Sequence, residues 1–112
     1  MKIINSTYKG QIFTCPNCNK IHIEFGNVCI NLTQQELKQF KDYVNSIDYQ
    51  FYLYKNRHAQ NRRKLLLNIG ASNSFLALNV NEFIELKNLL SNKNEIPEIK
   101  NIQILISNIN LN

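Results

Sequence analysis

The stretch that decides the fold is Phe13–Val44, with the sequence FTCPNCNKIHIEFGNVCINLTQQELKQFKDYV. It contains a Cys-x-x-Cys turn, two segments of alternating apolar residues separated by Gly26-Asn27, and a helix-start signal at Thr33. Alternation with a period of two is typical of half-buried strands. A glycine at the first central position of a two-residue loop favours a type II′ hairpin turn. The stretch therefore predicts a hairpin followed by a helix.

The predicted turn also fixes which residues face each other across the hairpin. Three cross-strand pairs follow from it: Phe25 with Val28, Glu24 with Cys29, and His22 with Asn31. The side chains predicted on the apolar face are Ile21, Ile23, Phe25, Val28, Ile30 and Leu32. On the opposite face, His22 and Cys29 lie diagonally across from one another, because neighbouring residues of a strand point to opposite sides.

Two capping boxes predict the helix starts. Thr33 and Glu36 form the first, and Asn79 and Glu82 form the second, since the cap oxygen and the carboxylate each accept one backbone N–H. Helical apolar stripes follow both: Leu37, Phe40, Val44 and Ile47 in the first, and Phe83, Leu86, Leu89 and Leu90 in the second. Residues 48–54 stay open, because the apolar spacing allows the first helix to end near Ile47 or to continue to about Tyr54, and the aromatic residues also allow a strand.

A degraded copy of the first ββα pattern returns later in the chain. Strands are predicted at Leu65, Leu67 and Ile69 and at Phe75, Leu76 and Leu78, and the segment 32–44 aligns with 78–90 at a constant offset of 46. Either the two segments are a true duplication, or they share only a pattern that is common to ββα units. We predict an α+β fold, with an antiparallel sheet of about four to six strands built from two ββα-like halves, about 9–47 and 63–92. Two amphipathic helices pack on one face of this sheet.

The domain organisation follows from length. A chain of 112 residues predicts a single domain, here 1–96, followed by a C-terminal tail at 97–112. Ile102, Ile104 and Ile106 alternate within the tail and predict an edge strand or a partner-binding strand.

Composition and charge limit the function classes. The chain has 44% hydrophobic residues and a net charge of +5, which fits a globular domain. It contains no apolar run near the ~20 residues that a membrane span needs, and its first residues lack a signal-peptide pattern. These features predict a cytoplasmic protein with reduced thiols and no membrane association.

Cys15 and Cys18 are the sharpest chemical signal. Two thiolates around a tight turn provide half of a tetrahedral zinc site, and the hairpin register brings His22 and Cys29 to a nearby face. We therefore predict a structural zinc site from Cys15, Cys18, His22 and Cys29, with His58 as a further candidate. The alternatives are an inert turn, with Cys29 as an ordinary strand residue, and a redox-active cysteine pair, although the βαβ context of thioredoxin-like motifs is absent.

A basic segment provides a second signal. Its cations are Lys55, Arg57, Arg62, Arg63 and Lys64, and the aromatic residues Tyr49, Phe51, Tyr52 and Tyr54 precede them. Cations attract phosphates and aromatic rings stack on bases, so the alternative function is a small nucleic-acid-binding regulator. The competing interpretation is a solvated loop beside core aromatics.

The residues that carry a family resemblance are CPNC, the IHIEFGN hairpin and the two capped helices. This chain resembles a family of short uncharacterised bacterial proteins in which a Cys-x-x-Cys pair precedes an IHxxFGN-like hairpin and two capped helices. The resemblance covers about residues 13–92 and implies no established activity. With no nucleophile beside a base and no phosphate-binding loop, the sequence favours a non-enzymatic binding or accessory module, acting on a protein partner or as a homodimer.

Overall fold

A computed structural model describes residues 2–70 and 73–91 of the chain. The strands in this part are β1 (Lys2–Ser6), β2 (Gly10–Thr14), β3 (Ile21–Phe25), β4 (Val28–Leu32), β5 (Leu65–Asn68) and β6 (Phe75–Leu78). The helices are α1 (Gln34–Ser46), α2 (Tyr49–Lys55) and α3 (Val80–Leu90). Ile102, Ile104 and Ile106, predicted to form an edge strand, lie outside the described residues.

The α+β class and the antiparallel pairing are confirmed. Strands β1 to β4 form one antiparallel sheet in sequence order, and β5 pairs with β6 in a second sheet. Where the sequence predicts one sheet and two helices, residues 2–70 and 73–91 form two sheets and three helices. The two sheets are separate because β4 and β6 are not hydrogen-bonded to one another in the described part of the chain.

The predicted hairpin register is confirmed at every pair. Phe25 lies opposite Val28, and His22 lies opposite Asn31. Gly26 has a φ of 61° and no described non-glycine residue has a positive φ, which is the pattern of a type II′ turn and not of type I′. The N-terminal residues, for which the sequence made no prediction, form β1 along β2, with a bulge between Ile3 and Asn5.

Both capping boxes are present with the predicted partners. The Thr33 side chain accepts from the Glu36 amide, and the Asn79 side chain accepts from the Glu82 amide. Residues 48–54, left open by the sequence, belong mainly to the separate helix α2. The first helix ends because Ile47 adopts an extended conformation, and Asp48 starts a new helix by accepting from the Phe51 amide.

The core lies between the inner face of the four-stranded sheet, the second hairpin, and helices α1 and α3. Its buried side chains are Ile12, Ile21, Ile23, Phe25, Phe40, Val44, Leu65, Leu67, Leu76, Leu78, Phe83, Leu86, Leu89 and Leu90. These include the central members of both predicted helical stripes. Each large side chain buried this fully contributes about 1.5–3 kcal/mol relative to exposure.

Helix α3 is also fixed to the β1–β2 turn by polar contacts. Glu85 accepts from the Thr7 hydroxyl at 2.7 Å and from the Lys9 amide at 2.6 Å. Gly10 permits the close approach, since a Cβ there would lie 2.8 Å from the Leu89 side chain. The helices therefore cover the inner face of the sheet, and the outer face carries the row Phe13, His22 and Asn31.

Candidate metal centre

Cys15 and Cys18 lie on the tight connection between β2 and β3. Strand β2 ends at Thr14 and β3 begins at Ile21, so the connection crosses the end of the sheet in six residues with Pro16 and Asn17 at its bend. His22 is the second residue of β3 and points to the outer face. Both cysteines are partly exposed and neither is in a disulfide.

The three side chains converge on one point. The Cys15 Sγ lies 3.2 Å from the Nε2 of His22, and the Cys18 Sγ lies 3.3 Å from the same nitrogen. All three ligand atoms lie within 4.8 Å of one another. Zinc–sulfur bonds of about 2.3 Å and zinc–nitrogen bonds of about 2.0 Å put tetrahedral neighbours roughly 3.5 Å apart. The observed sulfur–nitrogen separations are close to that value.

Asn31 fixes the tautomer of His22. Its carbonyl oxygen Oδ1 lies 2.6 Å from Nδ1. Because a carbonyl oxygen only accepts, this contact favours a proton on Nδ1. In the neutral imidazole, Nε2 then has the lone pair that a metal requires, and Nε2 faces the two sulfurs. The Phe13 ring stacks on the imidazole at 5.1 Å. Sequence reasoning assigned no role to Asn31 or Phe13, although the predicted register already placed Asn31 opposite His22.

The pKa values of the Cys15 and Cys18 thiols are shifted in opposite directions. The pKa of Cys18 is lowered to about 7, chiefly by its hydrogen bond with His22 and then by the one with Cys15. The hydrogen bond with Cys18, followed by burial, raises the pKa of Cys15. The hydrogen bond to Asn31 raises the pKa of His22. The lowered pKa favours the thiolate form of Cys18, which is the form that both metals and disulfides require.

Cys29 is placed beside this group but is not a member of it. Its Sγ lies 3.8 Å from Asn31 Oδ1, on the Nδ1 side of the imidazole, whereas the two other sulfurs lie on the Nε2 side. His58 is exposed in the connection after α2 and also lies outside the group found among the described residues. The geometry thus brings together Cys15, Cys18 and His22, while Cys29 as a ligand stays a prediction.

Several of the predicted basic side chains have intramolecular partners. The Arg63 guanidinium donates to Glu82 at 2.8 and 3.2 Å, and the Lys64 ammonium donates to the Ala59 carbonyl at 2.7 Å. These two side chains have intramolecular partners that sequence reasoning did not foresee. Arg57 lies over the exposed ring of Tyr54 at 3.8 Å and donates to the Tyr54 carbonyl at 2.7 Å. Lys55 and Arg62 are exposed as well.

Comparison with known proteins identifies the family of this chain. The model of a family of unknown function, DUF6686, matches residues 1–112. The chain belongs to DUF6686. The resemblance to a family without an established activity is thereby confirmed at the level of the family. No curated protein and no solved structure matches this DUF6686 chain. Across residues 2–70 and 73–91, no helix has the length and apolar character to cross a membrane.

Proposed function

We propose that this DUF6686 protein is a cytoplasmic, non-enzymatic binding module whose β2–β3 connection binds one zinc ion through Cys15, Cys18 and His22. The observation that carries the proposal is the orientation of the imidazole. Asn31 holds Nδ1 protonated, and Nε2 faces both sulfurs at 3.2 and 3.3 Å. Two thiolates and one imidazole are ligands that zinc prefers over magnesium or calcium.

The role of zinc here is structural. Cys15 and Cys18 belong to a short connection with few buried side chains, whereas His22 belongs to a central strand paired on both sides. Ligation joins the connection to the strand, and the binding energy becomes folding energy. Two thiolates also neutralise the charge of the ion, which makes it a weak Lewis acid. The three residues leave the fourth tetrahedral position to a water or to a side chain of a binding partner, and the partner's side chain would complete the four ligands that structural sites have.

The test is native mass spectrometry with metal analysis on the full chain under reducing conditions. We expect one zinc per chain in the wild type, and loss of zinc in Cys15→Ser and Cys18→Ser. Cys29→Ser is the matched control. It also replaces a thiol by a hydroxyl on the outer face of the sheet, but Cys29 lies outside the Cys15–Cys18–His22 group. This variant should therefore keep its zinc.

Two outcomes would contradict the zinc proposal or revise it. A folded wild type without metal, carrying a reversible Cys15–Cys18 disulfide after oxidation, would replace it by the thiol redox function. Loss of zinc in Cys29→Ser would make Cys29 the fourth ligand. The same spectra give the mass of any homodimer, which tests whether a second copy is the binding partner.

Helix α2 favours nucleic-acid binding as a second candidate function. The helix has no buried residue, and the side chains of Phe51 and Tyr54 are 53% and 65% exposed. The interpretation of these two aromatics as core residues is therefore wrong, and they lie next to the exposed cations Lys55 and Arg57. An exposed ring beside a cation is suited to stacking on a base near a phosphate.

Fluorescence anisotropy with a single-stranded oligonucleotide tests this second candidate. Binding should weaken steeply with salt, and Lys55→Gln with Arg57→Gln should weaken it more than Lys38→Gln with Lys41→Gln, which removes equal charge from α1. Equal effects of the two double variants would indicate non-specific attraction to net charge.

A further inference from the structure

Cys15 and Cys18 are free thiols that lie beside one another. Neither is in a disulfide, and both are partly exposed. Their Sγ atoms lie within 4.8 Å of one another and contact the same nitrogen, Nε2 of His22. A hydrogen bond also joins the two thiols. The two sulfurs are therefore in direct contact, and no other side chain separates them.

The connection that carries the two thiols has few restraints. It runs from residue 15 to residue 20, and within the described residues none of the backbone hydrogen bonds outside the helices and strands involves it. None of its six side chains is buried. A disulfide requires a specific geometry of both cysteines. A connection without backbone hydrogen bonds or buried side chains can adopt that geometry without disturbing the core.

The zinc-bound state would leave both sulfurs accessible to a small oxidant. In that state Cys15, Cys18 and His22 supply three ligands, and both sulfurs lie partly exposed at the end of the sheet. Two of the three ligands are thiolates, which is the form of cysteine that peroxides oxidise. A disulfide between them would leave a single imidazole, which is not enough to hold zinc in a structural site.

We propose that hydrogen peroxide oxidises zinc-bound Cys15 and Cys18 to a disulfide and thereby expels the ion. This inference rests on the zinc-binding function proposed above and adds a regulation of the same site. Loss of the ion removes the link between the connection and His22 of β3. A partner whose side chain fills the fourth position is released together with the zinc.

The reaction takes place in two steps. One thiolate attacks a peroxide oxygen, so that an S–O bond forms, the O–O bond breaks and hydroxide leaves. The second thiolate attacks the sulfur of the resulting sulfenic acid, so that the S–S bond forms, the S–O bond breaks and a second hydroxide leaves. The two sulfurs lose two electrons in total, and the peroxide gains them. The metal keeps its oxidation state and leaves as Zn²⁺.

Peroxide titration of the full-length, zinc-loaded protein tests the switch. A chromophoric chelator measures the zinc released with and without peroxide, and the remaining thiols are then alkylated and mapped by mass spectrometry. Trypsin places Cys15 and Cys18 in the peptide 10–20 and Cys29 in the peptide 21–38. We expect one zinc released per disulfide in the first peptide, whose mass falls by two hydrogens. Cys29 should still be alkylated.

Reversibility and a matched variant complete the experiment. Dithiothreitol with added zinc should restore the zinc content, because thiol–disulfide exchange reverses a disulfide but does not reverse oxidation to sulfinic acid. Cys29→Ser is the control, since it removes the thiol that lies outside the group. Its zinc release should follow the same peroxide dependence as that of the wild type.

The outcomes separate the switch from the zinc site itself. Zinc that stays bound after peroxide treatment would overturn the switch and leave the zinc proposal intact. Zinc release without a Cys15–Cys18 disulfide would do the same. A reduced protein that binds no zinc would refute the zinc proposal and the switch together, even if peroxide produced the disulfide.

Discussion

The two ββα halves use the same helix cap in different surroundings. In the first half, Glu36 closes a capping box with Thr33 and is exposed to solvent. In the second half, Glu82 closes the equivalent box with Asn79 and is only 8% exposed. Glu82 additionally accepts from Arg63 at 2.8 Å and from Lys9 at 3.2 Å. One carboxylate thereby joins α3, the segment before β5 and the β1–β2 turn.

The difference shows that a local motif has no fixed energetic value. The caps satisfy the same orphan amides in both helices, but only Glu82 is desolvated, and a buried carboxylate must keep its partners. The first half instead places its distinctive polar group, Cys15, Cys18 and His22, on the open outer face. The second half is thus held by burial and ion pairs, while the first half has a site at which a ligand can add stability.

The largest expected difference between the halves is the loss of stability when an apolar residue of the helix stripe is replaced by alanine. Phe83 of α3 is 0% exposed, and Leu37 is the equivalent, partly buried residue of α1. We expect Phe83→Ala to lower the free energy of unfolding by about 3–5 kcal/mol and Leu37→Ala by about 1–2 kcal/mol, because the cavity left at Phe83 is enclosed. Urea denaturation of both variants measures this. Equal losses would mean that the two halves contribute equally to the core.

Zinc binding should stabilise the first ββα half, which contains β2 and β3, and leave the second half unchanged. With free zinc at about one hundred times its dissociation constant, we expect the thermal midpoint to rise by roughly 10 °C. Differential scanning calorimetry with zinc and with a chelator measures the shift. Cys18→Ser should abolish it, and Cys29→Ser should retain it. Hydrogen exchange should slow in β2 and β3 on zinc addition and stay unchanged in β5 and β6; slowing throughout would remove the distinction between the halves.

The two capping carboxylates give a matched pair of substitutions. Glu82→Gln should lower the free energy of unfolding by about 2 kcal/mol, because the charged hydrogen bonds to Arg63 and Lys9 are lost. This value is below that of a fully buried pair, since both cations are partly solvated. Glu36→Gln should cost less, as the contact of that carboxylate within residues 2–70 and 73–91 is the cap alone. The reverse order in chemical denaturation would refute the role assigned to Glu82.

Lowering the pH should remove the stabilisation that the Glu82 carboxylate provides. The hydrogen bond with Arg63 lowers the pKa of Glu82 to about 2 from its ordinary value of 4.5. A carboxylate with a depressed folded-state pKa stabilises the protein fully above the unfolded value and loses that contribution as the pH falls. The wild type should therefore lose stability between about pH 4.5 and pH 2, and Glu82→Gln should lose less over the same window. Parallel pH curves of unfolding would contradict this.

The smallest expected effect concerns Asn31. Asn31→Ala removes the acceptor for the His22 Nδ1 proton, so the favoured tautomer is no longer held, and zinc affinity should fall about tenfold. Competition with a chromophoric chelator measures the affinity. Asn27→Ala, in the hairpin turn, is a control of the same side-chain type away from the imidazole. An unchanged affinity in Asn31→Ala would show that packing against Phe13 is enough to orient the ring.

Local signals in the sequence were enough for most secondary structure. The Gly26-Asn27 turn determined the hairpin register, because a two-residue loop and a period-two apolar pattern allow only one pairing. Thr33 and Asn79 determined two helix starts, and CPNC with His22 indicated a thiol–imidazole group. Residues 48–54 could not be assigned from periodicity, since the 3–4 spacing continues through Asp48, which starts a new helix instead.

Relations between distant residues came only from the tertiary structure. The pairing of Arg63 with Glu82, the separation of β4 from β6 within the described residues, and the convergence of Cys15, Cys18 and His22 all depend on how the elements pack. The sequence by itself determined the local ββα units, because turns, caps and periodicity act over a few residues. The tertiary structure decided which charges are buried and which ligand atoms meet, because those properties depend on distances that no local pattern encodes.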